Sequence, residues 1–128
     1  MARLLVVDDE FGILRLLEDV FADEGHSVEL AVNGKQALQR IEEQRPDIVL
    51  TDFMMPVMDG ADLIKSIRAT QALSDIPVVV MSSLSESSVA ERCTGYQRFV
   101  RKPFKIFELI QIVSQLVDEA DKNGSSTP

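Results

Sequence analysis

Ile48-Val49-Leu50-Thr51-Asp52 is a short apolar run that ends on a carboxylate. Its unbroken hydrophobicity suits a strand buried on both faces, which is how the strands of a parallel sheet read. Three other runs close in the same manner. Leu4-Leu5-Val6-Val7 ends on Asp8 and Asp9, Val78-Val79-Val80-Met81 on Ser82, and Phe99-Val100-Arg101 on Lys102. If these are parallel strands of one sheet, their C-terminal ends share a rim, where open α/β sheets bind their ligands. Three carboxylates, a hydroxyl and an ammonium then converge on one place.

The stretches between the runs carry helical spacing. Leu14, Leu17, Val20 and Phe21 predict a helix over about 10–24, closed by Gly25. Ser27 to Ala31 reads as a second strand, and Lys35 to Glu43 as a helix burying Ala37, Leu38 and Ile41. After the loop Phe53 to Gly60, Leu63, Ile64 and Ile67 mark the inner face of a third helix, with Asp59 as its N-cap. Residues 83–95 are serine-rich and offer only Leu84, Val89 and Ala90, so a short or frayed fourth helix is expected. Gln97 to Arg101 is a fifth strand, and Phe107, Ile110, Val113, Leu116 and Val117 predict a last helix over about 105–121. Alternating strands and helices imply an α/β doubly wound parallel sheet, a flavodoxin-like (βα)5 fold with strand order 2-1-3-4-5. Its switch point falls between the strands that end on Asp8, Asp9 and Asp52. One domain over 1–121 is expected, followed by a flexible tail at 122–128 of Asn-Gly-Ser-Ser-Thr-Pro character.

Composition narrows the function. A net charge of −8 argues against direct nucleic-acid binding, which needs a basic footprint. Cys93 is the only cysteine, so neither a disulfide framework nor a thiolate zinc cluster can form within the chain. No run approaches the ~18 apolar residues of a membrane span, and the N-terminus lacks a signal-peptide pattern. A cytoplasmic protein without membrane attachment is expected.

Three neighbouring carboxylates repel, so they need a cation or a shared proton. A hard divalent ion with oxygen ligands suits them; magnesium takes one or two carboxylates and accepts a phosphate oxygen from a substrate. One carboxylate is then left as a nucleophile able to form an aspartyl phosphate. Lys102 would offset charge on the phosphoryl oxygens, a close pair near a surface being worth on the order of 4 kcal/mol before desolvation. The Ser82 hydroxyl can donate to another oxygen. Phosphoryl transfer asks mainly for positioning and charge stabilisation, and this set supplies both.

Val6-Val7-Asp8-Asp9-Glu10, Asp52-Phe53-Met54-Met55-Pro56-Val57-Met58-Asp59-Gly60, Met81-Ser82-Ser83 and Phe99-Val100-Arg101-Lys102-Pro103-Phe104 together resemble the receiver domain of two-component response regulators. The resemblance covers about residues 3–120. It implies that Asp52 is the phosphoacceptor, served by a histidine kinase or histidine phosphotransfer protein. It implies Mg2+ (or Mn2+) held by Asp9, with Asp8 in support, together with Asp52 and the backbone carbonyl of Met54. Ser82 resembles the switch hydroxyl, Phe99 the aromatic that follows it, and Lys102 the phosphate-binding lysine. The peptide before Pro103 is cis in typical members. Such domains act as conformational switches that catalyse only their own phosphorylation and slow dephosphorylation. The implied partners are a downstream protein target or a tethered output domain, and the implied state is a monomer or a weak phosphorylation-dependent dimer.

The sequence departs from the family pattern in three places. The spacing from Ser82 to Lys102 is about two residues short, Ser83 replaces a small apolar residue, and Tyr96 stands where alanine is common. Met54 and Leu84, two residues past Asp52 and Ser82, are apolar and cannot orient an attacking water. The chain reads as a single-domain regulator or as the receiver of a longer protein. Two other classes stay open. A haloacid dehalogenase-type phosphatase would want an acid where Met54 stands; a receiver-like binding module not regulated by phosphorylation typically lacks one of these site residues. Away from the rim, His26 reads as a surface turn residue and Cys93 as a small buried or half-buried one. Met54, Met55 and Met58 read as loop packing rather than a soft-metal site.

Overall fold

The computed structural model describes residues 1–125, with side chains described through Lys122. Five strands, β1 (Arg3–Val7), β2 (Ser27–Ala31), β3 (Ile48–Asp52), β4 (Val78–Ser82) and β5 (Arg98–Arg101), form one parallel sheet in the order β2-β1-β3-β4-β5. All five residues of β3 and of β4 are buried, as the continuous apolar runs required. The helices are α1 (Phe11–Asp23), α2 (Gly34–Glu43), α3 (Gly60–Ala69), α4 (Glu86–Ala90) and α5 (Ile106–Ser125), with one 3-10 turn at Gln71–Leu73.

Alternation along the strands splits the core into two layers. Leu4, Val6, Ile48, Leu50, Val79 and Met81 face α1 and α5 through Leu14, Leu17, Phe21, Leu109, Val113 and Leu116. Leu5, Val7, Val49, Val78 and Val80 face the opposite layer, where Ala37, Ile41, Leu63, Ile64, Ile67 and Val89 close over them. Each such fully buried aliphatic side chain contributes on the order of 2 kcal/mol.

Helix ends are set by local chemistry. Asn33 and Asp59 accept from the backbone N–H groups of Gln36 and Asp62, at 2.8 and 3.0 Å. Gly25, at φ 90°, ends α1: its N–H donates to the Ala22 carbonyl and that of His26 to the Phe21 carbonyl. His26 is more than a turn residue. Its Nδ1 accepts from the Ala2 N–H at 3.0 Å and its ring lies 6.1 Å from that of Phe21, so it ties the start of β1 to the end of α1.

The fourth helix is short, at five residues, with Ser85 as its cap. Of the three apolar residues expected to anchor it only Val89 is buried; Leu84 and Ala90 are exposed. Arg68 compensates from α3. Its guanidinium donates to the carbonyls of Gly95, Ser74 and Ile76 and to Gln97 Oε1, fixing the path into β5 with side-chain bonds instead of helix.

The last helix differs from expectation in two respects. It continues to Ser125, so the boundary placed at 121 falls inside it; residues 126–128 of the expected tail lie outside the described residues. Phe107, assigned to the inner face, is 80 % exposed. The buried stripe runs through Leu109, Val113 and Leu116, and two residues of helix turn Phe107 about 200° away from Leu109.

Candidate functional site

Strand register assembles the site. Val7 pairs with Ala31 on one side and Thr51 on the other, so Asp8 and Asp52 leave neighbouring strands at the same level. Asp52 pairs with Met81 and Ser82 with Arg101, which brings the ends of β4 and β5 to the same rim. Oxygen atoms of Asp8, Asp9 and Asp52 all lie within 4.8 Å of one another. Asp8 is fully buried, Asp52 is 8 % exposed, and Asp9 is exposed.

Lys102 enters this acidic cluster. Its Nζ lies 2.8 Å from Asp8 Oδ2, 3.4 Å from Asp52 Oδ1 and 3.9 Å from Glu10 Oε1. The Lys102 N–H donates to the Ser82 carbonyl at 2.7 Å, and the Lys102–Pro103 peptide is cis. Backbone donors hold the carboxylates from the other side: Asp8 Oδ1 accepts from the Glu10 N–H and Asp52 Oδ1 from the Phe53 N–H, each at 3.0 Å.

Electrostatics separate the members. Burial, reinforced by the charge of Asp8 and further by Asp9, pushes the Asp52 carboxyl up to about 6 against the opposing pull of Lys102. Burial alone would lower Lys102, but its hydrogen bond to Asp8 and the charges of Asp52, Asp8 and Glu10 outweigh that and raise it. The lysine is therefore a fixed cation, and Asp52 holds its proton to a higher pH than a free carboxyl does.

The walls are close-packed. A Cβ on Gly60 would sit 2.6 Å from the Asp52 carbonyl oxygen, and the Gly60 N–H donates to the Phe53 carbonyl at 2.8 Å, so α3 begins against the backbone of the site. In the preceding loop, Val57 adopts φ 72° and the Met58 N–H donates to the Pro56 carbonyl at 2.8 Å, a γ-turn centred on a β-branched residue. Met55 is buried and Met58 half-buried, packing against Gly34, while the Met54 side chain is 61 % exposed.

Of the expected site residues, the structure brings Asp8, Asp9, Asp52 and Lys102 together. Ser82 ends β4 buried, its Oγ accepting from the Leu84 N–H at 3.1 Å. Phe99 is half-buried and packs on the layer that holds Val78 and Val80, its ring 6.3 Å from that of Tyr96. Met54 lies in the loop two residues beyond Asp52. Sequence reasoning missed Glu10 as a third carboxylate facing Lys102, although it continues the Asp8-Asp9 acidic run. It also missed Arg92, whose guanidinium pairs with Asp59 at 2.8 Å and lies over the Phe53 ring; no local pattern links those positions.

Oxygen-only donors of this charge and spacing fit a hard divalent cation such as Mg2+ or Mn2+. Among the described residues no helix is long and apolar enough to cross a membrane.

A family model described as the response regulator receiver domain matches residues 4–114. Over 129 residues the chain is 36 % identical to the transcriptional regulatory protein PrrA of Mycobacterium tuberculosis, covering 98 % of this chain and 54 % of that protein. It thus spans about half the length of such relatives. Sporulation initiation phosphotransferase F of Bacillus subtilis is 35 % identical, with 88 % of this chain and 91 % of that protein covered. Among solved structures, the receiver domain of a signal transduction histidine kinase from Syntrophus aciditrophicus superposes with a TM-score of 0.86 at 28 % identity, covering 93 % of this chain and 92 % of that one. The chemotaxis response regulator CheY4 of Vibrio cholerae superposes at 0.85 with 26 % identity, covering 91 % and 98 %.

Proposed function

This chain belongs to the response regulator receiver domain family, and from that premise we propose that it is a phosphorylation switch in which Asp52 accepts a phosphoryl group from a phosphohistidine-bearing protein. The observation that carries the proposal is the placement of Lys102 between Asp8 and Asp52 beside the exposed Asp9. A divalent cation and a phosphoryl oxygen are what three carboxylates and one ammonium can share.

Asp9 and Asp8, with Asp52 and the Met54 carbonyl, would hold Mg2+ or Mn2+. When bound, the ion supplies charge neutralisation for the phosphoryl oxygens. Asp52 acts as the nucleophile. With its carboxyl near 6, about ten molecules in eleven carry the anion at pH 7 even before a metal binds. A carboxylate oxygen attacks phosphorus, an O–P bond forms as the P–N bond breaks, and the imidazole departs with the electron pair. Lys102 stays within reach of the new phosphoryl oxygens, and the Ser82 hydroxyl can leave Leu84 to donate to one of them. Phe99 follows on the same side of the sheet. The chain is thus a switch rather than a turnover enzyme, reporting to a protein target or to an output domain on the same polypeptide.

Incubation with a labelled phosphoramidate or a histidine-phosphorylated donor tests this reading. Label should be incorporated with Mg2+, be prevented by EDTA, and be released by hydroxylamine, which cleaves acyl phosphates. Label that is indifferent to EDTA or resistant to hydroxylamine contradicts it.

A further inference from the structure

We propose that Tyr96 couples the phosphoryl state of Asp52 to the short helix α4, with its ring against Phe99 and its hydroxyl holding Glu86. The inference rests on the reading of Asp52 as phosphoacceptor and adds a regulatory element to it.

The start of α4 is tied twice to groups that adjoin the switch residues. Ahead of it, the Ser82 hydroxyl accepts from the Leu84 N–H at 3.1 Å. Beyond it, the Tyr96 hydroxyl donates to Glu86 Oε2 at 2.9 Å, and Glu86 is the first residue of the helix. The Tyr96 ring lies 6.3 Å from Phe99 at a tilt of 52°, a favourable aromatic pair. Alternation along β4 sets Ser82 on the same face as Val78 and Val80, and Phe99 and Tyr96 both pack on that layer. All the parts therefore occupy one side of the sheet.

A helix of five residues has little hold of its own. Val89 is its only buried residue, so the two polar ties weigh heavily in its placement. If the Ser82 hydroxyl turns to a phosphoryl oxygen on Asp52, the Leu84 tie just ahead of the helix is lost. Movement of Phe99 into the vacated space then removes the surface on which Tyr96 rests, and the Glu86 tie at the first residue of the helix fails as well. Tyr96 is a positioning residue in this scheme; it touches no reacting atom.

The chain has one tyrosine and no tryptophan, so its ultraviolet emission reports Tyr96 alone. A phenol hydrogen-bonded to a carboxylate emits weakly, because the excited hydroxyl passes its proton to the acceptor. Beryllofluoride with Mg2+ serves as the phosphoryl mimic, its binding followed by fluorine NMR. Binding should raise Tyr96 emission in the wild type. Glu86→Gln should start bright and gain little, while still binding the mimic. Tyr96→Phe, lacking the tie that favours the unoccupied state, should bind the mimic ~5-fold more tightly, the equivalent of one hydrogen bond. Bound fluoride with unchanged emission, or unchanged affinity in Tyr96→Phe, overturns the coupling and leaves the phosphoacceptor reading standing. Absence of bound fluoride in the wild type overturns both.

Discussion

Lys102 and Asp8 stand 94 positions apart in the chain, and the lysine Nζ meets the fully buried Asp8 carboxylate at 2.8 Å. The pair closes the sheet rim from the β5 side. It also places a cation 3.4 Å from Asp52, so one ammonium serves two carboxylates that would otherwise repel.

Removing that ammonium should be costly. Lys102→Met leaves Asp8 charged, buried and unpaired, and loss of one partner of such a pair costs about 3 kcal/mol. Urea unfolding at pH 8 in EDTA should show this loss. Added Mg2+ should restore part of it, since a divalent ion can take over the neutralisation. Equal stability of variant and wild type in EDTA contradicts the assignment.

Asp52 gives stability a defined pH dependence. Its folded-state carboxyl titrates at about 6, above the ordinary 3.8. Below the lower value both states hold the proton and nothing is lost. Between the two, the unfolded chain has released a proton that the folded chain keeps, so stability falls as pH rises and the loss is complete above about 6. The loss is on the order of 2–3 kcal/mol. Metal-free Asp52→Asn should therefore be more stable than wild type at pH 8 and should lack this slope. A variant less stable at pH 8 would falsify the burial argument.

Two backbone positions beside the site should respond in opposite directions. Val57 is 77 % exposed and sits at φ 72°, so Val57→Gly removes strain while sacrificing little burial and should stabilise by about 1 kcal/mol. Gly60→Ala forces a methyl against the Asp52 carbonyl oxygen and should destabilise by about 2 kcal/mol. Thermal unfolding of the two variants checks both signs.

Much of this architecture was legible because the strands carry it. Ile48-Val49-Leu50 and Val78-Val79-Val80 admit little but buried parallel strands, and a polar residue at each strand end is forced to the same rim. Asp8, Asp9, Asp52 and Lys102 are therefore readable as a set from the sequence alone. What escaped depends on long-range side-chain geometry. Arg68 reaches carbonyls up to 27 positions away, Arg92 meets Asp59 33 positions away, and His26 receives the Ala2 N–H from 24 positions away. None of these leaves a periodic trace. Phe107 misled because its spacing to Ile110 and Val113 is helical, while the face that is buried is centred on Leu109. Val57 gave no warning either, since a β-branched residue is a poor candidate for a left-handed turn.

The most direct test of the central claim is intact-mass measurement after incubation with Mg2+ and a small phosphodonor. The wild type should gain the mass of one phosphoryl group, and Asp52→Asn, expected to be at least as well folded, should gain none. An adduct that persists in Asp52→Asn, or no adduct in the wild type, contradicts the assignment of Asp52 as the phosphoacceptor.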